Sequence, residues 1–114
     1  MKQTSWLTGV IIGLVFVTAP VFGQAKDDKG MQIFKAQKCT QCHSIAGVGN
    51  KKGALDEIGS KLTPAEIKAW ITDPEGMRAK TQPPPTRKPF MKKLSIPAAD
   101  VDALVAMLKD MKKK

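Results

Sequence analysis

The residues with the clearest chemical meaning lie at positions 39 to 43, which read Cys-Thr-Gln-Cys-His. Side chains three and four positions apart share a face of a helical turn, so Cys39, Cys42 and His43 can point the same way. Two thiols at this spacing, followed directly by an imidazole, form the attachment signature of a c-type haem. The sequence therefore predicts one covalent haem c, bound through Cys39 and Cys42, with His43 as an axial ligand of the iron.

Other uses of the two cysteines fit this pattern less well. A structural zinc site needs about four nitrogen or sulfur ligands, whereas the chain has two Cys and one His. A thioredoxin-like dithiol requires a βαβ context, and no strand-like alternation surrounds the motif. A plain disulfide or another redox dithiol remains an alternative, but it leaves His43 without a role.

The first 25 residues have the features of an export signal. Lys2 gives a short positive start, residues 6–17 are mostly apolar, and small residues stand at Gly23 and Ala25. We predict a signal peptide at 1–25, cleaved after Ala25 for export to the periplasm, and a single domain at 26–114. The alternative is an uncleaved anchor, because no charged residue occurs between Lys2 and Lys26.

The charge of the chain favours acidic partners. Its 19 basic and ten acidic residues give a net charge of +9, which removal of Lys2 lowers by one. Such a balance suits proteins with acidic docking surfaces, although lysines also simply keep a small domain soluble. Nucleic acid is a poor candidate, because the chain has no recognised nucleic-acid-binding motif and no regular interleaving of aromatic with basic residues.

Helical patterns dominate the rest of the chain. Residues 30–38 are predicted to form a helix that leads into the haem motif. Thr63 to Glu66 read as a capping box before a second helix, whose buried face would be Ile67, Trp70 and Ile71 and which Asp73-Pro74 would end. Residues 44–60 and 79–90 read as loops because they are rich in glycine and proline respectively.

The strongest helical pattern lies at the C-terminus. The apolar residues there recur at intervals of three and four, at Val101, Leu104, Val105, Leu108 and Met111. Pro97 suits its first turn. No strand is predicted, so the fold class is all-α, with three to five short helices.

A sixth ligand for the iron must come from a methionine, because no second histidine exists. Met31 is too close in sequence to reach the far face of the haem, and Met107 and Met111 belong to the C-terminal helix pattern. Met91 follows the proline-rich segment, 48 residues after His43, with enough chain to reach the opposite face. Met77 remains an alternative. A thioether paired with an imidazole raises the haem potential for electron transfer.

Taken in order, these pieces resemble the class I cytochromes c across residues 26–114. Gly30 and Phe34 before the haem motif are similar to that family's first helix, and Gly53-Ala54-Leu55 is similar to its Gly-Pro-x-Leu. Residues 70–74, 86–91 and 101–106 resemble its bacterial helix and turn, its distal-ligand loop and its last helix.

The resemblance implies a cytochrome c fold wrapped around one covalent haem. Gly30 and Phe34 would cross Leu104 and Met107. The resemblance also implies three roles at the haem: the Ala54 carbonyl, at the position of the family's proline, would accept a hydrogen bond from His43, Trp70 would donate to a propionate, and Met91 would be the distal axial ligand.

The predicted function is that of a soluble periplasmic electron carrier with one haem c and His43/Met91 ligation, and not an enzyme. Its partners would be redox proteins with acidic surfaces, with no nucleic acid and no small-molecule substrate. Membrane contact would come only through a partner or an uncleaved leader. Two alternatives stay open: a cytochrome subunit of a larger dehydrogenase or oxidase complex, and a haem sensor that binds a ligand at the iron.

Overall fold

A computed structural model describes residues 22–114 of the chain. Most of the predicted leader, residues 1–21, lies outside this range. The first helix, α1 (Phe22–Ala36), runs across the predicted cleavage point after Ala25, so cleavage stays a prediction. Among residues 22–114, no helix is both long enough and apolar enough to cross a membrane.

Short helices make up most of the described chain, which confirms the predicted all-α class. After α1 come a 3-10 turn (Cys39–Gln41), strands β1 (Ser44–Ile45) and β2 (Val48–Gly49), a 3-10 turn (Lys51–Gly53), and helices α2 (Ile58–Lys61), α3 (Pro64–Thr72), α4 (Pro74–Lys80) and α5 (Ala98–Leu108). The two strands form an antiparallel hairpin in which Ser44 faces Gly49 and Ile45 faces Val48. The hairpin was not predicted, since strands of two residues are too short to show an alternating pattern.

The crossing of α1 and α5 forms the centre of the core. Phe34, Leu104 and Met107 are each 2 % exposed. Gly30 is also buried, and a Cβ atom built on it would lie only 2.7 Å from the Met107 Cβ. The missing side chain of Gly30 therefore lets α5 approach closely, which confirms the predicted contact of Gly30 with Met107.

The start of α3 follows the predicted capping box. The Thr63 hydroxyl accepts a hydrogen bond from the Glu66 backbone N–H at 3.2 Å, and the Glu66 carboxylate accepts one from the Thr63 N–H at 2.7 Å. This reciprocal pair satisfies donors that a helix start leaves free. Ile67 and Ile71 are buried as predicted, whereas Trp70 is only half-buried.

The predicted stop at Asp73-Pro74 also begins a further helix, α4. The Asp73 carboxylate accepts from the Gly76 N–H at 3.0 Å, and Pro74 takes the first helical position. A capping Asp and a Pro at the first position are ordinary signals of a helix start. The prediction took Asp73 and Pro74 only as the end of α3.

The C-terminal tail closes over α2. The Gly59 N–H donates to the Met111 carbonyl at 2.8 Å, and the Lys113 N–H donates to the Ser60 hydroxyl at 2.7 Å. Met111 thus lies beyond the end of α5 at Leu108, not on its apolar face as the periodic pattern predicted.

Residues 81–97 connect α4 to α5 without helix or strand. Side chains 82–93 of this segment are all exposed, and Met91 is among them. The predicted proline-rich loop is therefore confirmed, and it extends further toward α5 than residue 90.

We expect Gly30→Val to lower the free energy of unfolding by about 1–3 kcal/mol, because a larger side chain overpacks the contact with Met107. Denaturant unfolding of the purified protein measures this. Lys29→Val, at an exposed position on the same helix, is the control and should change stability by no more than about 0.5 kcal/mol. Equal stability of the two variants would show that α5 has room at this crossing.

Candidate haem site

One tight turn brings the three residues of the haem motif together. Lys38 adopts the left-handed conformation (φ 58°, ψ 26°), which turns the chain away from the end of α1. The backbone N–H groups of Cys42 and His43 then both donate to the Cys39 carbonyl, at 3.1 and 2.8 Å. Cys39, Cys42 and His43 therefore project from a single turn, as their spacing predicted.

Both cysteines are half-buried, and no disulfide joins them. Burial raises the pKa of the Cys39 thiol, the neighbouring Cys42 raises it further, and a backbone hydrogen bond opposes both effects. A reactive redox dithiol requires a lowered thiol pKa, which exposes a thiolate. The direction of the Cys39 pKa shift therefore gives the redox-dithiol alternative no support.

The imidazole of His43 is oriented by a hydrogen bond from its Nδ1 to the Gly53 carbonyl, 3.0 Å away. A carbonyl oxygen only accepts, so Nδ1 carries the proton and Nε2 keeps a free lone pair. Burial lowers the pKa of His43, and the charge of Arg87 lowers it as well, while the bond to Gly53 opposes them. Burial and the charge of Arg87 thus favour the neutral ring, which has one nitrogen available to a metal.

The carbonyl that accepts from His43 is that of Gly53, so the prediction of Ala54 was wrong. Successive carbonyls of an extended backbone point to opposite sides. Ala54 is extended (φ −57°, ψ 131°) and pairs with Ser44 in a parallel bridge, and Leu55 donates to the Ser44 carbonyl at 2.9 Å. Gly53, one residue earlier, therefore provides the carbonyl on the imidazole side.

Asn50 connects the haem motif to the turn that holds Gly53. Its backbone N–H donates to the carbonyls of Thr40 and His43, each at 3.0 Å, and its side-chain amide donates to the Gln41 carbonyl at 3.1 Å. Its side-chain oxygen accepts from the Lys52 N–H at 3.1 Å. Sequence reasoning missed this residue, although an Asn before a short turn is a frequent cap.

Arg87 reaches this site from the segment 81–97. Its Nη2 donates to the Cys42 carbonyl at 2.8 Å. Its Nη1 lies against Gly53, since a Cβ atom built on Gly53 would overlap both Arg87 Nη1 and the Cys42 carbonyl oxygen. No sequence signal assigned Arg87 to the site, because the contact joins residues 45 positions apart.

The methionines differ in burial, and the role of Met91 as an iron ligand stays a prediction. Met107 is buried, and Met31 and Met111 pack against the core. Met77 is half-buried on α4, while Met91 is 36 % exposed next to Phe90 at 39 %. Met91 is thus the most exposed methionine of the described chain, and it lies four residues after Arg87. The role of Trp70 toward a propionate also stays a prediction.

The donor set fits a covalent haem. Two cysteine side chains and one imidazole share a turn, and the Nδ1 of the imidazole donates to the Gly53 carbonyl, as is typical of metal-bound histidines. Within residues 22–114, no group of three or more His, Cys, Asp or Glu residues is arranged to hold a metal ion by itself.

Comparison with known proteins gives one match. The family model described as "Cytochrome c" matches residues 28–112. A search of the curated proteins and a search of the solved structures each found no significant match.

We expect Gly53→Ala to loosen the His43 hydrogen bond, because the new Cβ would overlap two atoms and lie 3.0 Å from His43 Nδ1. The free energy of unfolding should fall by about 1–3 kcal/mol. Hydrogen exchange of the His43 ring N–H, followed by NMR, should become faster than in the unaltered protein. Ala54→Ser, at the exposed neighbouring position, is the control. Slower or unchanged exchange in Gly53→Ala would contradict the close packing of Gly53 against His43.

Proposed function

Since the chain belongs to the cytochrome c family, we propose that it is a periplasmic single-haem electron carrier with His43 and Met91 as axial ligands. The family carries covalently attached haem c, and Cys39 and Cys42 stand at the attachment positions. When bound, the haem supplies a one-electron iron couple. His43 offers its Nε2 to the iron, and its Nδ1–H bond to Gly53 keeps the ring from turning.

The observation that carries the proposal is the hydrogen bond from Arg87 to the Cys42 carbonyl, 2.8 Å long. It attaches the Met91 segment to the haem motif itself. Met91 follows Arg87 by four residues, a stretch of chain that spans at most about 14 Å. The short chain from Arg87 to Met91 favours Met91 as the ligand over Met77, which belongs to helix α4.

Filled axial positions would favour electron transfer over enzymatic turnover. With His43 and Met91 both bound to the iron, no coordination site would be open to a substrate or a gas. Little of the protein would then have to rearrange when an electron moves. This favours a carrier over the ligand-binding sensor.

The charge around the site supports docking to acidic redox partners. Segment 81–97 contains no acidic residue, and its cations are Arg87, Lys88, Lys92 and Lys93. All four are exposed, and exposed Lys51 and Lys52 lie in the turn beside Gly53. A cluster of one sign attracts partners of the other sign and increases their association rate.

Export to the periplasm agrees with the family and with the apolar start of the chain, residues 1–25. Both cysteines are consumed by thioether bonds in this proposal. No thiol of the mature protein would then remain open to oxidation in such a compartment.

Absorption spectra of both redox states test the axial ligands. The unaltered protein should show a low-spin haem with a methionine-to-iron charge-transfer band, which Met91→Ala should abolish and Met77→Ala should retain. The reduced Met91→Ala variant should bind carbon monoxide, and the unaltered protein should not. The intact mass should equal residues 26–114 plus one haem.

The opposite results would each refute a part of the proposal. A band that persists in Met91→Ala would refute Met91 as the ligand. Carbon monoxide binding by the unaltered reduced protein would favour the sensor alternative. A mass that still includes residues 1–25 would show that the leader is retained as an anchor.

We expect oxidation by ferricyanide, an anionic one-electron acceptor, to slow as ionic strength rises, because salt screens exposed charges over about 10 Å at 0.1 M. Lys92→Glu should lower the rate at low salt by about threefold or more. Lys61→Glu makes the same charge reversal on α2, outside both the haem motif and segment 81–97, and should have a smaller effect. Stopped-flow measurement gives both rates, and equal effects would contradict docking at segment 81–97.

A further inference from the structure

One guanidinium contacts the backbone on both sides of the His43 ring. Arg87 Nη2 donates to the carbonyl of Cys42, the residue directly before His43, at 2.8 Å. Arg87 Nη1 lies against Gly53, whose carbonyl accepts the hydrogen bond from His43. Arg87 therefore bridges the two backbone segments that together set the position of the imidazole.

The contact depends on a glycine at position 53. A Cβ atom there would overlap Arg87 Nη1 and the Cys42 carbonyl oxygen. The φ angle of Gly53 is not among the positive values of this structure, so other residues could adopt its backbone conformation. A glycine at this position therefore leaves space for the Cys42 carbonyl and for Arg87 beside it.

The charge of Arg87 is not neutralised by a neighbour. The ion pairs found within residues 22–114 are Lys68–Asp102 and Lys109–Asp110, and neither includes Arg87. The segment that carries Arg87 has no acidic residue from 81 to 97. A full positive charge therefore lies beside the His43–Gly53 hydrogen bond.

We propose that Arg87 is a positioning residue that raises the reduction potential of the bound haem by acting on His43 through Cys42 and Gly53. The inference rests on the proposed electron-carrier function. Its charge disfavours the more positive, oxidised state and so raises the potential, and its two contacts hold that charge beside the His43 ring. Hydrogen bonding to an axial ligand is one of the means by which a protein sets a haem potential.

The size of the effect follows from the exposure of Arg87. Its side chain is exposed, so water and salt screen its charge in part. We therefore expect a moderate shift, which becomes smaller as the ionic strength rises.

Redox titration of the purified haem-loaded protein, followed by absorption, tests the proposal. Arg87→Gln should lower the ratio of reduced to oxidised protein at a fixed potential by about three- to tenfold, where tenfold corresponds to 59 mV for one electron. Arg87→Lys keeps the charge but loses the planar pair of donors, and it should give an intermediate shift. The control Lys88→Gln removes the same charge from the next residue, whose Nζ faces the Phe90 ring at 5.8 Å, and should change the ratio less than twofold.

A second measurement separates positioning from a general loss of stability. Hydrogen exchange of the His43 ring N–H should become faster in Arg87→Gln and stay unchanged in Lys88→Gln. If Arg87→Gln does not retain haem, Arg87→Lys is measured in its place, with a shift of at least twofold expected. Potentials of the Arg87 variants equal to that of Lys88→Gln would overturn the proposal.

The outcomes also separate this inference from the function on which it rests. A Met91-dependent band with unchanged potentials in the Arg87 variants would overturn only the role of Arg87. A shifted potential in a protein without that band would support Arg87 while refuting Met91 as the ligand.

Discussion

The hydrogen bond from His43 Nδ1 to the Gly53 carbonyl is the interaction on which the site depends. It fixes the tautomer of the imidazole, leaves Nε2 free for the iron and prevents rotation of the ring. Because its two residues are ten positions apart, the intervening chain must fold back. The hairpin of β1 and β2 and the hydrogen bonds of Asn50 accomplish this return. Much of the irregular structure after the haem motif thus holds the Gly53 carbonyl oxygen beside His43.

The core of this protein is small, so the covalent haem would contribute to its stability. Within the described residues the buried apolar side chains number nine, and Phe34 is the one aromatic residue among them. A domain of this size buries little apolar surface, so a close contact such as that of Gly30 with Met107 matters more than it would in a larger protein. A haem attached by two thioethers adds apolar surface that the side chains do not supply.

The basic surface around the site has little to do with stability. Exposed charges and exposed ion pairs contribute between zero and about 1 kcal/mol. A segment such as 81–97, with four cations and no acid, is therefore hardly constrained by folding. The acidic redox partners proposed above would explain its composition. A second reason is the contact of Arg87 with the haem motif.

Local patterns in the sequence determined the elements and the chemistry of this protein. The spacing of Cys39, Cys42 and His43 specifies haem attachment, because these side chains must share one turn. The capping box at Thr63 and the apolar periodicity of α5 are visible for the same reason, since each depends on residues no more than four positions apart. Short elements escaped prediction, as the two-residue strands and α4 show.

Tertiary structure alone decided which groups surround the imidazole. Whether Gly53 or Ala54 turns its carbonyl toward His43 depends on backbone dihedral angles and on the bridge between Ser44 and Ala54, which no side-chain pattern records. The contact of Arg87 with Cys42 joins positions 45 residues apart, and nothing near either residue in the sequence indicates it. The pentapeptide at 39–43 was thus enough to predict His43 as an iron ligand. The surroundings of His43 depend instead on distant segments that fold onto it.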